Sequence, residues 1–452
     1  MPTTVMRSPS ESTAEPSSRF TFIDALRGLA ACWVMVYHFN QALTCNGAQP
    51  IFTGPVHFVL SHGRGGVQLF FVISGFVLAY SLRNARISPR FFGLFLLRRA
   101  VRLDPPYWAT IALAIAAVPI SNLLLPDRQA ELPGWSKIAA HLLYLQNILG
   151  FGDLVDVFWT LCLEVQLYAV FVLLLGLGQF VTPARQATGR LAIFGLFMPL
   201  TALSLAIQFG ALPSPCDTMM FKYWYLFQLG ITTFWVRNRT LNPLYLYGFV
   251  GVLAALMSTV AFQADCLVGI GAAMTIHVAD RLDCLHRWLA QRPMQYLGRI
   301  SYSLYLVHNL VGFPLVGLLG KHFVGAHPGL GAALLLFTGA CGVSLLTAHG
   351  LYRLVERPTL RLSKAIVLPG SRTEPPGETL RQRADDAESQ PRVVAAARGR
   401  GQSRGDRVND EDRRIVGRGQ PVRETVPPPA DDQQIVWKAS LVPASARSAV
   451  GE

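Results

Sequence analysis

Arg27 and His38 lie in a stretch, Phe22 to Leu43, that is otherwise apolar enough to cross a bilayer. Eleven residues of α-helix rotate through about 1100°, so both side chains project from one face, about 16 Å apart along the axis. An ionisable group at membrane depth costs about 2.5 kcal/mol or more unless it faces a protein interior or a wet cavity. Two on one face predict a lined path. A guanidinium grips phosphate or pyrophosphate bidentately, and an imidazole exchanges protons near neutral pH. Arg27, five residues into the helix, has a second reading in which it snorkels to lipid headgroups.

Glu164, in Phe158-Trp-Thr-Leu-Cys-Leu-Glu164, enters another apolar stretch from its outer end by about 9 Å of rise. His38 lies at a depth of about 8 Å from the same side, so the two are expected to meet. A carboxylate beside an imidazole fixes the tautomer and raises basicity, which suits a general base acting on an alcohol. The alternative is an ion pair or hydrogen bond that only locks two helices. Arg98, Arg99 and Arg102 cluster just before Asp104-Pro-Pro-Tyr-Trp. Such clustering next to a helix start favours a phosphate-bearing ligand, although charge placement at a membrane surface explains it generically. Gly65 to Phe76 carries small residues around Gln68 and Ser74 that permit close helix approach. Ser301, Tyr305 and His308 fall at i, i+4 and i+7, a polar stripe on one helix face.

The elements that must hold these residues are membrane helices. The 452 residues are 51% hydrophobic and 15% charged, with a mean hydropathy of +0.35, which excludes a soluble protein of this size and gives an all-α membrane protein. About 20 apolar residues make one span. Roughly ten candidates start near Phe22, Gly66, Tyr107, Phe158, Leu191, Lys222, Asn242, Cys266, Ser301 and Gly329. With a cytoplasmic N-terminus, 19 Lys/Arg of residues 1–363 fall on the cytoplasmic side and 5 on the other, with Arg27 inside a span. The positive-inside rule favours that orientation, with both termini cytoplasmic in a plasma (inner) membrane. The basic segment Arg83 to Arg102 is then a cytoplasmic loop, and Glu356-Arg-Pro358 follows the last span, where proline stops the helix.

Three regions are expected: a disordered N-terminal segment 1–20, a transmembrane domain 21–363 and a disordered, charged cytoplasmic tail 364–452. The tail holds 15 Lys/Arg and 13 Asp/Glu with few large apolar residues, too little to bury for independent folding. Its net charge is small, so the overall +13 comes mostly from the membrane part and reports topology rather than nucleic-acid binding. Lipid tethering by the tail is the weaker possibility. Seven cysteines are spread singly, with no metal spacing. Cys45, Cys216 and Cys266 would lie at the outer surface, where a disulfide is conceivable, but buried thiols are the expected state.

At these residues the chain resembles the acyltransferase-3 family of integral-membrane O-acyltransferases. The matches, in order, are Arg27 with ten residues then His38; Gly66-Val-Gln-Leu-Phe-Phe-Val-Ile-Ser-Gly75; Arg99-Ala-Val-Arg102 leading to Pro-Pro-Tyr-Trp; Trp159-Thr-Leu-Cys-Leu-Glu164 with Tyr168; and Ile300-Ser-Tyr-Ser-Leu-Tyr-Leu-Val-His308. Glu356-Arg-Pro358 looks like the family's closing signature. The resemblance covers residues 20 to 363. It implies transfer of an acyl group, often acetyl, from cytoplasmic acyl-CoA to a hydroxyl of a glycan, lipid-linked sugar, or small glycoside or polyketide, with no metal. The family's essential Arg and His correspond to Arg27 and His38, and its Arg pair to Arg99 and Arg102. Gln68 stands where many members carry an acidic residue, so an acid/base role there is in doubt.

As an enzyme, the chain would hold CoA phosphates at Arg27, Arg99 and Arg102. His38, oriented by Glu164, would deprotonate the acceptor, and Ser74, Tyr305 or His308 would supply oxyanion or acceptor contacts. Direct transfer and an acyl-histidine intermediate are both open. A transporter or flippase for an acyl group or glycolipid is the alternative, and it would call for inverted repeats, of which none is evident. A third reading makes the polar residues helix glue and the tail a partner-binding segment.

Overall fold

The computed structural model describes residues 20–44, 52–124, 130–181, 187–214, 219–319 and 329–369. The expectations for the first 19 residues, for Cys45 and Cys216, and for the tail beyond residue 369 lie outside them. Every regular element among the described residues is helical, as the bilayer requires of a chain whose backbone groups must be satisfied within each segment.

Helices α1 (Thr21–Thr44), α4 (Pro89–Leu124), α6 (Trp159–Val181), α7 (Ala187–Gln208), α11 (Arg292–Leu319) and α12 (Leu330–Leu351) belong to spans long and apolar enough to cross a membrane. The short α2 (Gly54–Ser61) and α3 (Gly65–Ser81) are bent by 54° and make a seventh if taken as one broken span. The chain is therefore a multi-pass membrane protein. The expected ten spans reduce to six or seven by this measure. Helices do form at the remaining three places, α8 (Trp224–Arg237), α9 (Pro243–Thr259) and α10 (Ala264–Arg281), but they do not meet it. At 14 and 17 residues, α8 and α9 are shorter than a full crossing of about 20 residues, and α10 carries Asp265, Asp280 and Arg281.

Two helix crossings build the core. In α8 every residue from Trp224 to Val236 is buried, as for a helix sheathed in protein on all sides. It packs on α3, where a Cβ on Gly230 would run into the Val72 carbonyl and one on Gly75 into that of Phe227. The second crossing joins α1 to α11. Gly28 lies against Leu297 and Gly298, and ten residues further along both helices His38 meets His308. The two helices thus run parallel and in register past Arg27 and His38.

The basic segment is not a loop through to Arg102. Helix α4 begins at Pro89 and continues through Pro105 and Pro106 to Leu124, about 54 Å by helical rise. Each proline removes one N–H and so frees one carbonyl four residues back, but neither ends the helix here. Pro358 does not stop its helix either. α12 passes through a π-helical turn, Tyr352–Glu356, into α13 (Arg357–Ala365), with the proline in the first turn of α13, where a missing N–H costs nothing. Tyr144 connects the short α5 (Trp135–Leu142) to a loop that enters α6 through a 3₁₀ turn, Asp156–Phe158.

Candidate active site

A cavity of about 80 Å³ opens between α1, α3, α4, α6 and α11. One water needs about 10–15 Å³ of such space, so it takes several waters or a slender chain. Arg27, Arg99 and Arg102 all line it. The first comes from α1 and the others from α4, three residues apart and so on one face. None of the three makes an ion pair among the described residues, where Arg237 with Asp280 at 2.8 Å is the pair that forms. Three half-buried guanidiniums around one cavity make a site for a polyanion.

Glu164 lies on the wall of the same cavity. Its Oε1 accepts a hydrogen bond from the Tyr168 hydroxyl one helical turn further on, and Arg99 stacks its guanidinium 4.2 Å over the Tyr168 ring. Ser74 also lines the cavity and faces the Tyr168 hydroxyl. The expected meeting of Glu164 with His38 is absent: the polar groups acting on His38 are His308, Gln41 and Arg64. Depth counted from each helix's own end misjudged the pairing. Tyr305 sits one turn below His308 and meets Thr160, which leaves Glu164 a further turn below.

Tyr305 joins the two halves of the site. Its hydroxyl and that of Thr160 are 2.7 Å apart, both side chains line the cavity, and the Tyr305 ring lies 5.8 Å from that of His308. The His308 ring in turn lies 5.3 Å from that of His38. His308 is fully buried and His38 nearly so, at 0% and 7% exposure. Arg27 and His38 therefore lie at opposite ends of one stretch of α1, with Tyr305, on the cavity wall beside His308, between the arginines and the histidines.

Beyond the histidines, Arg64 lies 5.9 Å over the Trp159 ring and Tyr37 packs 5.2 Å from His38. In the adjoining loop between α5 and α6, Asp153 accepts from Gln146 at 3.3 Å, and burial raises its carboxyl to about 7. His141 is held neutral. Its Nε2 accepts from the Leu154 N–H at 3.0 Å, its Nδ1 donates to the Lys137 carbonyl, and burial lowers its pKa.

One member of the site escaped the sequence reading. Glu356, in the π-turn, is 6% exposed, accepts from Ser303 Oγ at 2.5 Å and Ser303 N at 3.3 Å, and acts electrostatically on Arg27 and Arg102. The sequence placed it only in Glu356-Arg-Pro358 after the last span, with no role in the site. A helix continuing through Glu356 was the signal that would have turned it inward. Among the described residues no group of three or more His, Cys, Asp or Glu could hold a metal ion. Cys162 and Cys266 are free and buried, the latter facing the Tyr225 hydroxyl at 3.4 Å.

Comparison with known proteins bears on the chemistry. Residues 20–349 match the model of the acyltransferase-3 family, described as an acyltransferase domain. The exopolysaccharide production protein ExoZ of Rhizobium meliloti is 25% identical over 68% of this chain and 92% of its own length. The O-acetyltransferase PaAT-1 of Phomopsis amygdali is 25% identical over 76% of this chain and 84% of its own. The regulator of hypoxia-inducible factor 1 of Caenorhabditis elegans is 29% identical over 38% of this chain, which spans only 37% of that protein. No solved structure matches significantly. With the family model covering most of the chain and a cavity that runs from its arginines to Tyr305, next to His308, the chain is a membrane acyltransferase and belongs to the acyltransferase-3 family.

Proposed function

We propose that the protein is an integral-membrane O-acyltransferase that moves an acyl group, most simply acetyl, from cytoplasmic acyl-CoA to a hydroxyl of a glycan, lipid-linked sugar or small glycoside or polyketide. The observation that carries this reading is the separation of the two ends of the site. Arg27, Arg99 and Arg102 meet at one end of the cavity, and His38 sits with His308 about three helical turns away. A donor with a polyphosphate head and a long, thin thioester arm fits that offset. The phosphates would rest on the guanidiniums, the arm would follow the cavity, and the thioester carbonyl would arrive beside Tyr305.

His38 would take the proton from the acceptor hydroxyl as its oxygen attacks the carbonyl carbon, and the carbon–sulfur bond would break to release the thiol. The hydroxyl of Tyr305, held in place beforehand by Thr160, is the donor best placed for the oxyanion and would turn its single O–H toward it. Glu164 and Ser74 act at the donor end in this scheme, by fixing Tyr168 and through it Arg99. The names of ExoZ and PaAT-1 support an acceptor on a saccharide or small molecule and an acetyl donor, respectively. The excess of basic residues on one side of the spans supports cytoplasmic termini and donor entry from the cytoplasm.

The test is mass spectrometry of glycans and secreted metabolites from cells with and without the protein, looking for a gain of one acyl unit. His38→Ala is expected to abolish that gain at unchanged protein level. Acylation retained in that variant would sink the assignment of His38 as base.

A further inference from the structure

His38 Nδ1 and His308 Nε2 are buried and have no hydrogen-bond partner among the described residues. They belong to rings 5.3 Å apart and tilted by 39°. The hydrogen of His308 is assigned by its neighbour: Nδ1 faces the Leu304 carbonyl oxygen at 3.0 Å, and a carbonyl only accepts, so Nδ1 carries the proton and Nε2 is left with a lone pair. A buried polar atom left unpaired is costly. One bond, from His38 Nδ1–H to His308 Nε2, would satisfy both atoms. Rings at this separation allow facing nitrogens to approach to about 3 Å, and the terminal torsion of histidine is broad enough for a small rotation to align them.

We propose that His308 is the positioning residue of the proton acceptor, holding His38 in the tautomer whose Nε2 lone pair faces the acceptor hydroxyl. The inference rests on the reading of His38 as base. It gives His308 the orienting role expected of Glu164, which the structure places with Tyr168 instead. In the transfer step, the acceptor O–H proton moves to His38 Nε2 as the new carbon–oxygen bond forms. The imidazolium is stabilised by its Nδ1–H donating to His308, and the proton then passes to the departing CoA thiolate. His308 suits this because its own Nδ1 is anchored within α11. The other groups acting on His38 are Gln41, one turn further along α1, and the cation of Arg64.

The experiment uses the full chain in membranes, with acylated product measured per unit of protein and acetyl-CoA binding measured on the same samples in nanodiscs. His308→Phe keeps an aromatic ring without the acceptor, and His308→Gln keeps an acceptor oxygen. His308→Phe is expected to lower turnover about 100-fold, in the range for general acid–base catalysis, with the KM for acetyl-CoA nearly unchanged. His308→Gln should recover about tenfold of that loss, and His38→Ala/His308→Phe should be no slower than His38→Ala, as for residues that act as a unit. If His308→Phe loses acetyl-CoA binding through misfolding, His308→Leu against His308→Gln carries the same comparison. Turnover at the wild-type rate in His308→Phe, or equal loss in His308→Gln and the apolar variants, overturns the role of His308 and leaves the acyltransferase reading standing. Wild-type protein that neither binds acetyl-CoA nor yields acylated product overturns that reading and this inference with it.

Discussion

Arg99 lies over Tyr168, its guanidinium carbon 4.2 Å from the ring centroid, and the phenol beneath it is tied to Glu164. The contact holds a cation on the cavity wall. Lysine keeps the charge but neither the planar stack nor the bidentate fork. Arg99→Lys is therefore expected to raise the KM for acetyl-CoA about tenfold, equivalent to about 1.4 kcal/mol, with kcat little changed. Initial rates against donor concentration in membranes measure it. An unchanged KM would remove Arg99 from the donor site.

Glu356 braces α11 to the π-turn after α12 through both the backbone N–H and the hydroxyl of Ser303. Glu356→Ala strands the buried Ser303 hydroxyl, since the Ser303 N–H keeps its partner within α11, and a buried group left unsatisfied costs about 1–3 kcal/mol. Glu356→Gln keeps an acceptor and should cost less than half as much. Thermal unfolding in nanodiscs, followed by tryptophan fluorescence, separates the two. Equal losses in both variants would mean that the charge acting on Arg27 and Arg102, rather than the hydrogen bonds, stabilises this joint.

Those two predictions draw on residues of unequal legibility. Arg27, Arg99, Arg102 and Ser74 were readable because a charged or polar group in an apolar helix is costly enough to need a reason, and the structure gathers all four on one cavity. Tyr305 and His308 were readable as a stripe on one helix face. What the stripe faces was not, because helix periodicity gives direction about one axis and says nothing of the height of neighbouring helices. Glu164 was assigned to His38 for that reason. Proline was read as a terminator at Pro358 and as a boundary at Asp104-Pro-Pro, yet both helices continue, one through a π-turn and one as a single 36-residue element. In each case tertiary packing overrides a local rule, and Glu356 was lost to view with it.

The crossing of α3 and α8 gives a prediction about the fold alone. A methyl group on Gly230 would meet the backbone carbonyl of Val72, which cannot move aside as a side chain can. Gly230→Ala is expected to destabilise by about 1–3 kcal/mol, the range for overpacking. Gly248, in α9, has open space where its Cβ would be. There alanine should be neutral, or stabilising by up to about 1 kcal/mol through helix propensity. Folded yield after mild detergent extraction, together with the unfolding midpoint, compares the pair, and equal behaviour would show that the crossing is looser than its geometry.

The loop between α5 and α6 gives a dependence on pH with a definite sign. Burial raises the Asp153 carboxyl from 3.8 to about 7, with Asp156 adding to the shift and Gln146 and Lys137 opposing it. Between those values the folded chain binds a proton that the unfolded chain does not. Its contribution to stability is therefore full below pH 3.8 and is lost as the pH rises through about 7. His141 acts in the opposite sense. Burial lowers its pKa from 6.5, so its contribution is present above pH 6.5 and is lost as the pH falls. The two oppose each other near neutrality, and only a difference isolates the carboxyl. Asp153→Asn keeps an acceptor for Gln146 and cannot ionise, so the unfolding midpoint of the wild type minus that of Asp153→Asn should fall steadily from pH 5 to pH 8. A difference that stays flat across that range would mean that Asp153 is ionised in the folded protein throughout, and that its side chain is not shielded from water by Gln146 and the loop around it.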